Sequence, residues 1–177
     1  SPATTFLHYG QAIFEGVKAY KDPQGNPLIF RPYDNWARMN RSAERMAMPD
    51  LPEDIFVEGM RRLVDLDRAW IPSSEDTSLY IRPFLFGTGA QVGVKPASEY
   101  MFIIFVTPVG PYFKGGFQTT PFVIMREFDR SAPLGMGKYK VGGNYAASLK
   151  AGERAHKEGF SASIFADSKT KQYIDEA

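Results

Sequence analysis

Two neighbouring segments with helical periodicity, flanked on both sides by strand-like segments, restrict the fold more than any other feature of this sequence. Within residues 36–46 the apolar side chains recur at three- and four-residue steps, which predicts a helix with one apolar face. Asp34 or Asn35 is the expected N-cap of this helix. A second helix is predicted to begin after Pro52 and to end near Trp70. Adjacent helices between groups of strands indicate the α+β class.

Strand signals surround the two helices. The turn-forming residues 22–26 predict a hairpin between segments 16–20 and 27–31. Residues 77–86 are rich in Tyr, Ile and Phe and are predicted as a strand. Residues 100–107 give a stronger strand signal that is apolar through its middle, so we expect this strand at the centre of its sheet.

A stretch rich in proline and glycine separates these elements from a second group. We predict a small α+β domain over residues 1–113, an interdomain linker over 114–120 and the start of a second domain over 121–177. In the last segment a strand leads into a loop rich in glycine and lysine. A helix over 144–158, closed by Gly159, and two further strands follow.

The composition argues against several function classes. With 21 Lys and Arg against 20 Asp and Glu, the net charge of +1 gives no general attraction for nucleic acid or acidic membranes. The chain has no cysteine and only two histidines, which excludes disulfides and argues against a metal site. No stretch reaches the ~20 apolar residues of a membrane helix, and no signal peptide is visible, so we expect a cytoplasmic protein. Both ends lack polar tails, so we expect a fragment of a longer chain.

The loop before the last predicted helix carries the most specific chemical pattern. Lys140 lies two residues before the pair Gly142 and Gly143, and glycine permits tight turns and the close approach of a ligand. A lysine amine condenses with aldehydes to form a Schiff base, and a nearby cation such as Lys138 would lower the pKa of that amine. The alternative is a surface loop with two solvated lysines, which the spacing alone favours.

Two arginines are candidates for binding anions. Arg82 is predicted on a strand face between Tyr80 and Phe84, where its planar guanidinium would suit a carboxylate. A structural ion pair is an equally good interpretation of Arg82. Arg38 lies on the first helix beside other arginines, which is typical of a solvated basic stripe, although one of them can instead reach a phosphate.

Two weaker signals are interpreted as structural. The aromatic residues before Gly10 and Gly16 are more typical of a core than of a ligand pocket. Residues 87–93 are rich in glycine but lack the lysine and the Ser or Thr of a P-loop, so a nucleotide site there is not expected.

The motifs, taken together and in order, resemble those of branched-chain amino acid aminotransferases. These are pyridoxal 5'-phosphate (PLP) enzymes of fold type IV, the D-amino-acid-aminotransferase-like class. The resemblance implies a small α+β N-terminal domain followed by the beginning of a larger PLP-binding α/β domain, which in the family continues past Glu176. It runs along essentially the whole chain and rests on segments 7–10, 14–20, 30–32, 38–43, 78–83, 93–94, 108–113 and 140–145.

The resemblance implies which residues hold the cofactor. Lys140 would form the Schiff base with PLP and, once released by substrate, would move a proton between the substrate α-carbon and the cofactor. Tyr145 would hydrogen-bond the phenolic oxygen, Glu176 would pair with the pyridine nitrogen, and Arg38 would bind the phosphate.

The resemblance also implies the substrates and their site. L-Leucine, L-isoleucine and L-valine would exchange amino groups with 2-oxoglutarate, and an apolar pocket would select the aliphatic side chains by shape. Arg82 would lie on the substrate side of the small domain. A homodimer is implied, without a metal, nucleic acid or membrane partner. The pocket and its rim would be formed by Tyr9, Phe14, Tyr80, Val94 and Tyr112.

Two other functions stay open at this point. The first is another fold type IV enzyme, a D-amino-acid aminotransferase or an aminodeoxychorismate lyase. Amino transfer from D-alanine but not from L-leucine would reveal a D-amino-acid aminotransferase. The second is a folded fragment without catalytic activity, which would give no absorption band of bound PLP.

Overall fold

The computed structural model describes residues 1–74, 76–111 and 118–176. It divides the chain into two compact units, Ser1–Lys114 and Gly115–Ala177. Both units combine helices with sheets, which confirms the α+β class. No helix in the described ranges is long and apolar enough to cross a membrane.

The first unit is built on an antiparallel sheet whose central strand is β4. β4 pairs with β5 along one edge and with β1 and β2 along the other, and β3 pairs with β2. The β2–β3 pairing confirms the predicted hairpin. The elements are α1 (Thr5–Tyr9), β1 (Ala12–Phe14), β2 (Val17–Lys21), β3 (Pro27–Ile29), α2 (Pro32–Arg45), α3 (Glu53–Leu66), β4 (Ser78–Gly87) and β5 (Tyr100–Val109).

The expectation that residues 100–107 form a central strand is wrong. Within the described part of the chain, β5 pairs with β4 alone and therefore lies at the edge of the sheet. Its apolar run has another cause, since both faces of β5 make apolar contacts. The Phe102 ring lies 6.1 Å from Phe56 of α3, and the Phe105 ring lies 6.1 Å from Phe84 on the opposite face of the sheet.

The start of α2 also differs from the prediction. The helix begins at Pro32, ahead of the expected caps Asp34 and Asn35. Proline suits the first helical position because its fixed φ is already helical and its missing N–H has no partner there. The residue before it, Arg31, has a φ of 49°, in the left-handed region, and its side chain forms an ion pair with Asp34 in the first turn.

The two faces of the sheet have different roles. Alternate residues of β4 are buried, and α2 and α3 contribute the remaining core of this unit. The residues between them are half-buried and mostly aromatic, and we call their side of the sheet the aromatic face. The main buried side chains are Ile13, Met39, Phe56, Met60, Leu79, Ile81 and Leu85.

The second unit contains a strand–helix–strand crossover. β6 (Phe122–Met125) and β7 (Ala162–Ala166) are parallel, and α4 (Gly142–Lys157) connects them through the lysine-rich loop. β8 (Ile174–Glu176) pairs antiparallel with β7. The small residues Ala151 and Ala155 of α4 pack on Met125 and Phe165, which gives this unit its own apolar core.

Candidate functional site

The second unit brings Lys140 and Tyr145 together. Lys140 is the last residue before Val141, the fully buried N-cap of α4, and Tyr145 lies in the first turns of that helix. The Lys140 Nζ donates a hydrogen bond of 2.9 Å to the Tyr145 hydroxyl. The two residues are five positions apart with the helix start between them, and this spacing places an amine beside a phenol.

The two glycines beside Lys140 do not act as expected. Gly142 and Gly143 lie inside the first turn of α4, and neither has the positive φ that a tight turn would demand. A Cβ added to either glycine would meet no described atom within 4 Å. Their contribution is open space next to the lysine, which lets a ligand approach the backbone closely.

Hydrogen bonds and close packing hold the loop that carries Lys140. The buried Asn144 side chain donates to the carbonyls of Met136, at 2.7 Å, and Tyr139, at 2.8 Å. At the start of the loop, a Cβ on Gly137 would lie 2.7 Å from the Cβ of Ser131, so only glycine fits against that neighbour. These contacts hold Lys140 on a fixed backbone.

Lys138 contacts a different ring from Lys140. Its Nζ lies 5.2 Å from the centre of the Tyr139 ring, whereas the Lys140 Nζ lies 5.2 Å from the centre of the Tyr145 ring. The two amines are therefore directed to separate phenols.

Glu176, the expected partner of the pyridine nitrogen, is bound by a residue that the sequence did not single out. The Arg130 Nη1 lies 2.7 Å from the Glu176 Oε2. The Arg130 side chain is only 6% exposed, while that of Glu176 is 43% exposed. The Arg130 guanidinium also lies 5.9 Å from the centre of the Tyr145 ring. A lone arginine 46 residues before its partner gives no sequence signal, because the pairing exists only once the loop and β8 are folded.

β8 is preceded by a turn organised around Asp167. Its carboxylate accepts backbone hydrogen bonds from Thr170 at 2.6 Å and from Gln172 and Tyr173 at 2.9 Å each. These donors, led by the Tyr173 backbone, hold the pKa of Asp167 well below its ordinary range. The turn sets where β8, and hence Glu176, begins.

In the first unit Arg38 forms an ion pair with Glu15, another residue that the sequence did not single out as functional. The Arg38 Nε and Nη2 each lie 2.6 Å from one oxygen of the Glu15 carboxylate. Glu15 also accepts a 2.8 Å hydrogen bond from the Asn35 side chain. The Glu15 side chain is fully buried, whereas that of Arg38 is 45% exposed. Arg38 is therefore held in place rather than belonging to a solvated stripe.

A pocket of about 530 Å³ in this unit is strongly basic. Arg38 lines it together with Lys18, Arg31 and Arg41, and Asp34 contributes an acid that is paired with Arg31. Such a concentration of cations favours an anionic ligand.

Arg82 is enclosed by aromatic rings. Its guanidinium carbon lies 4.6 Å from the centre of the Phe14 ring and 5.2 Å from that of Tyr80, and its Nη2 donates a 2.7 Å hydrogen bond to the Tyr80 hydroxyl. Among the residues that the structure describes, no carboxylate forms an ion pair with Arg82. The aromatic face therefore holds a cation in place without supplying an acidic partner, unlike the structural ion pair considered above.

Glycine is required where β2 approaches Tyr80. A Cβ on Gly16 would lie 2.5 Å from the Tyr80 hydroxyl oxygen. Gly16 follows Glu15 directly and donates its backbone N–H to the Glu15 carboxylate at 3.3 Å. A single residue of backbone therefore separates the buried Glu15 carboxylate from the contact with Tyr80.

No described contact joins the other predicted pocket residues to Phe14, Tyr80 or Arg82. Tyr9 is partly exposed at the end of α1, with its ring 6.0 Å from that of His8. Val94 is 88% exposed in the loop between β4 and β5. Tyr112 lies outside the described residues.

A metal site finds no support in the described ranges, where no group of three or more His, Cys, Asp or Glu side chains could hold an ion. The candidate reactive groups described above are the Lys140 amine, the Tyr145 and Tyr80 phenols, the Glu176 carboxylate and the guanidinium groups of Arg38, Arg82 and Arg130.

Comparison with known proteins finds similarity over nearly the entire chain. No family model matches it. A branched-chain-amino-acid aminotransferase of Helicobacter pylori is 46% identical over 178 residues, which cover 99% of this chain and 52% of that protein. The chain thus spans about half the length of the curated relatives it matches.

Solved structures give the same result for the fold. A T.th. branched-chain amino acid aminotransferase with pyridoxamine 5'-phosphate has a TM-score of 0.81 at 28% identity and covers 99% of this chain and 56% of its own. The same enzyme complexed with N-(5'-phosphopyridoxyl)-L-glutamate has a TM-score of 0.77 at 27% identity, with 99% and 54% covered. Over nearly its whole length this chain is thus similar, in sequence and in fold, to about half of a branched-chain amino acid aminotransferase.

Proposed function

We propose that the whole protein transfers amino groups between L-leucine, L-isoleucine or L-valine and 2-oxoglutarate, with PLP bound at Lys140. The observation that carries this proposal is the 2.9 Å hydrogen bond between the Lys140 amine and the Tyr145 hydroxyl at the glycine-lined start of α4. The cofactor derivatives bound to the related T.th. enzyme support the choice of PLP.

The side chains of the second unit fit this cofactor. Lys140 offers an amine for the aldehyde, Tyr145 a phenol for the ring oxygen, and Glu176 a half-exposed carboxylate for the ring nitrogen. The space at Gly142 and Gly143, which any Cβ would occupy, lets a planar ring lie close to the backbone. When bound, PLP supplies an electron-withdrawing ring that stabilises negative charge at the substrate α-carbon.

The chain's own groups then have distinct tasks. The Lys140 amine would hold the cofactor through its aldehyde carbon. Once free, the same amine would take the proton from the substrate α-carbon and return it to that cofactor carbon. The Tyr145 hydroxyl accepts the hydrogen bond that orients the amine, and it would also hydrogen-bond the ring oxygen of the cofactor. Glu176 would hold the proton on the ring nitrogen by presenting a carboxylate to it.

Arg38 is the proposed phosphate ligand. Glu15 fixes the guanidinium through Nε and Nη2, so the arginine is oriented before any anion arrives. The surrounding basic pocket adds a favourable potential for a doubly charged phosphate.

The aromatic face is the proposed substrate side. Phe14 and Tyr80 offer apolar surface, which selects aliphatic side chains by shape at about 1–3 kcal/mol per methylene. Arg82, held between them without an acidic partner among the described residues, would bind the second carboxylate of glutamate or 2-oxoglutarate. Tyr9, Val94 and Tyr112 would complete the pocket in the whole protein.

Borohydride trapping tests the cofactor attachment. The protein is mixed with PLP, reduced and digested, and a phosphopyridoxyl mass addition is expected on Lys140 by peptide mass spectrometry. Lys140→Ala should abolish the addition and the visible absorption band of bound cofactor. Lys138→Ala is the matched control and should leave both intact. Labelling of Lys138 with Lys140 unmodified would refute the assignment.

An amino-donor panel tests the reaction. L-Leucine, L-isoleucine and L-valine should transfer their amino groups to 2-oxoglutarate, with D-alanine inactive. Activity with D-alanine but not with L-leucine would instead indicate a D-amino-acid aminotransferase.

A homodimer is the proposed assembly. Large apolar side chains on the first unit, including Leu7, Met101 and Phe105, are exposed and offer surface that a second chain can cover. Light scattering during size-exclusion chromatography should give twice the chain mass, and a monomer at micromolar concentration would contradict this part of the proposal.

A further inference from the structure

We propose that Arg130 is a positioning residue for the cofactor ring, because it orients Glu176 and supports Tyr145 from a buried site behind them. This inference rests on the proposed function, since it assigns Glu176 and Tyr145 to the cofactor.

The burial of the pair shows which partner is fixed. The Arg130 side chain is 6% exposed and that of Glu176 is 43% exposed, with 2.7 Å between their charged atoms. A buried guanidinium is stable only with a charged or hydrogen-bonding partner, so Arg130 constrains the carboxylate more than it is constrained by it. The contact is made by one oxygen of the carboxylate, the Glu176 Oε2.

Arg130 is also connected to Lys140 through contacts that both residues make with Tyr145. The Arg130 guanidinium lies 5.9 Å from the centre of the Tyr145 ring, within the range of a cation–π contact, and the Tyr145 hydroxyl accepts the hydrogen bond from Lys140. Its Nη1 also lies 3.5 Å from the Gly137 carbonyl in the lysine loop. Arg130 therefore touches the surroundings of all three residues assigned to the ring.

The backbone that carries Arg130 is tied to β8 and its preceding turn at three successive positions. Asp129 forms an ion pair with Lys171, Arg130 binds Glu176, and Ser131 donates to the Asp175 carboxylate at 3.3 Å. A segment fastened at each residue is suited to fixing a carboxylate within the few tenths of an ångström that a cofactor contact needs.

The test compares Arg130→Met with Glu176→Gln in protein loaded with PLP. The pH midpoint of the change in the visible absorption band should shift in the same direction in both variants, and the Kd for PLP should rise about tenfold in Arg130→Met. When Glu176→Gln is already present, Arg130→Met should move the pH midpoint no further, because the carboxylate that Arg130 orients is already gone.

Two variants separate positioning from a merely structural role. Arg130→Lys keeps a buried cation with poorer geometry, so it should fold and recover part of the PLP affinity with the midpoint still shifted. Arg154→Met is the matched control, because Arg154 is also ion-paired in this unit but binds Glu127 and Glu158 instead. It should leave the midpoint and the PLP affinity unchanged.

The outcomes distinguish this inference from the proposed function. In one outcome, Lys140 is labelled and Glu176→Gln shifts the pH midpoint, but Arg130→Met and Arg130→Lys have the same midpoint and PLP affinity as Arg154→Met. That outcome overturns only the role of Arg130. If Lys140 takes no label in the unsubstituted protein, the proposed function and the role of Arg130 are both overturned.

Discussion

The two units each contain an ion pair with one buried and one exposed partner, and the polarity of the two pairs is opposite. In the first unit the buried partner is the carboxylate of Glu15 and the exposed partner is Arg38. In the second the buried partner is the guanidinium of Arg130 and the exposed partner is Glu176. Each pair thus holds one exposed charge in a fixed orientation, positive in the first unit and negative in the second.

Burial of one partner separates these two pairs from the other described ion pairs of the chain. The exposed pairs of the same chain, such as Arg62 with Glu58 on α3, have both side chains in water and little constraint on either. A pair with one buried partner holds the other in a fixed geometry. The charge of the proposed ligand group then follows from the exposed partner: a phosphate for Arg38 and a protonated nitrogen for Glu176.

The largest effect is expected from removing the exposed partner in the first unit. Arg38→Met leaves the fully buried Glu15 carboxylate without its cation, so the free energy of unfolding should fall by about 3 kcal/mol. Urea denaturation measures this change. Arg41→Met, an exposed arginine of the same helix, is the matched control and should change it by less than about 0.5 kcal/mol.

A double variant sharpens the same comparison. Adding Glu15→Gln to Arg38→Met removes the stranded charge, so the double variant should be more stable than Arg38→Met alone. A double variant that is less stable than either single one would mean that the pair does not behave as a buried anchor with an exposed partner.

A smaller effect is expected when the buried carboxylate alone is changed. Glu15→Gln keeps the size of the side chain but loosens Arg38, so the preference for PLP over pyridoxal, which lacks the phosphate, should fall about tenfold, or ~1.4 kcal/mol. Equilibrium dialysis with both ligands gives this ratio. Equal losses for PLP and pyridoxal would point to damage elsewhere in the site.

The turn before β8 gives a weaker and pH-dependent effect. Because the pKa of Asp167 is lowered in the folded protein, its contribution to stability is present above the ordinary carboxyl pKa of 3.8 and is lost as the pH falls towards the folded value. Asp167→Asn should therefore lower the thermal midpoint at pH 7, and the difference from the unsubstituted protein should shrink below about pH 4. A difference that stays constant from pH 7 to pH 3 would contradict this origin.

The smallest effect is expected for a pair exposed on both sides. Arg62→Ala should lower the free energy of unfolding by only about 0.3–0.5 kcal/mol, since water and salt screen its pair with Glu58. Urea denaturation at two salt concentrations checks this. If Arg62→Ala lowered the free energy of unfolding as much as Arg38→Met does, a pair with one buried partner would not differ from a pair exposed on both sides.

Local patterns in the sequence were the reliable guide to this chain. Lys140 and Tyr145 are five residues apart, and a helix start between them is enough to bring them together. Periodicity predicts α2 and α3 but not the short α1, and the expected caps of α2 are wrong because the helix begins at Pro32. The roles given to these residues in catalysis stay predictions.

Contacts between distant segments could not be predicted in the same way. Glu15 pairs with Arg38 across 23 residues, and Arg130 pairs with Glu176 only after β8 has joined the sheet. The apolar run does not fix the place of β5 in the sheet, because an edge strand can make apolar contacts on both faces, here with a helix on one side and with an aromatic ring on the other. Pairing partners and sheet order are properties of the fold, so one sequence leaves them open.

The close approach of Gly16 to Tyr80 has an evolutionary consequence. Because the phenol occupies the place where a methyl group would stand, any residue larger than glycine at position 16 would first require the loss or displacement of that hydroxyl. Tyr80→Phe would relieve the worst overlap but would also remove the acceptor of the Arg82 hydrogen bond. A side chain at position 16 should therefore be tolerated only together with a shift or a replacement of the Tyr80 ring.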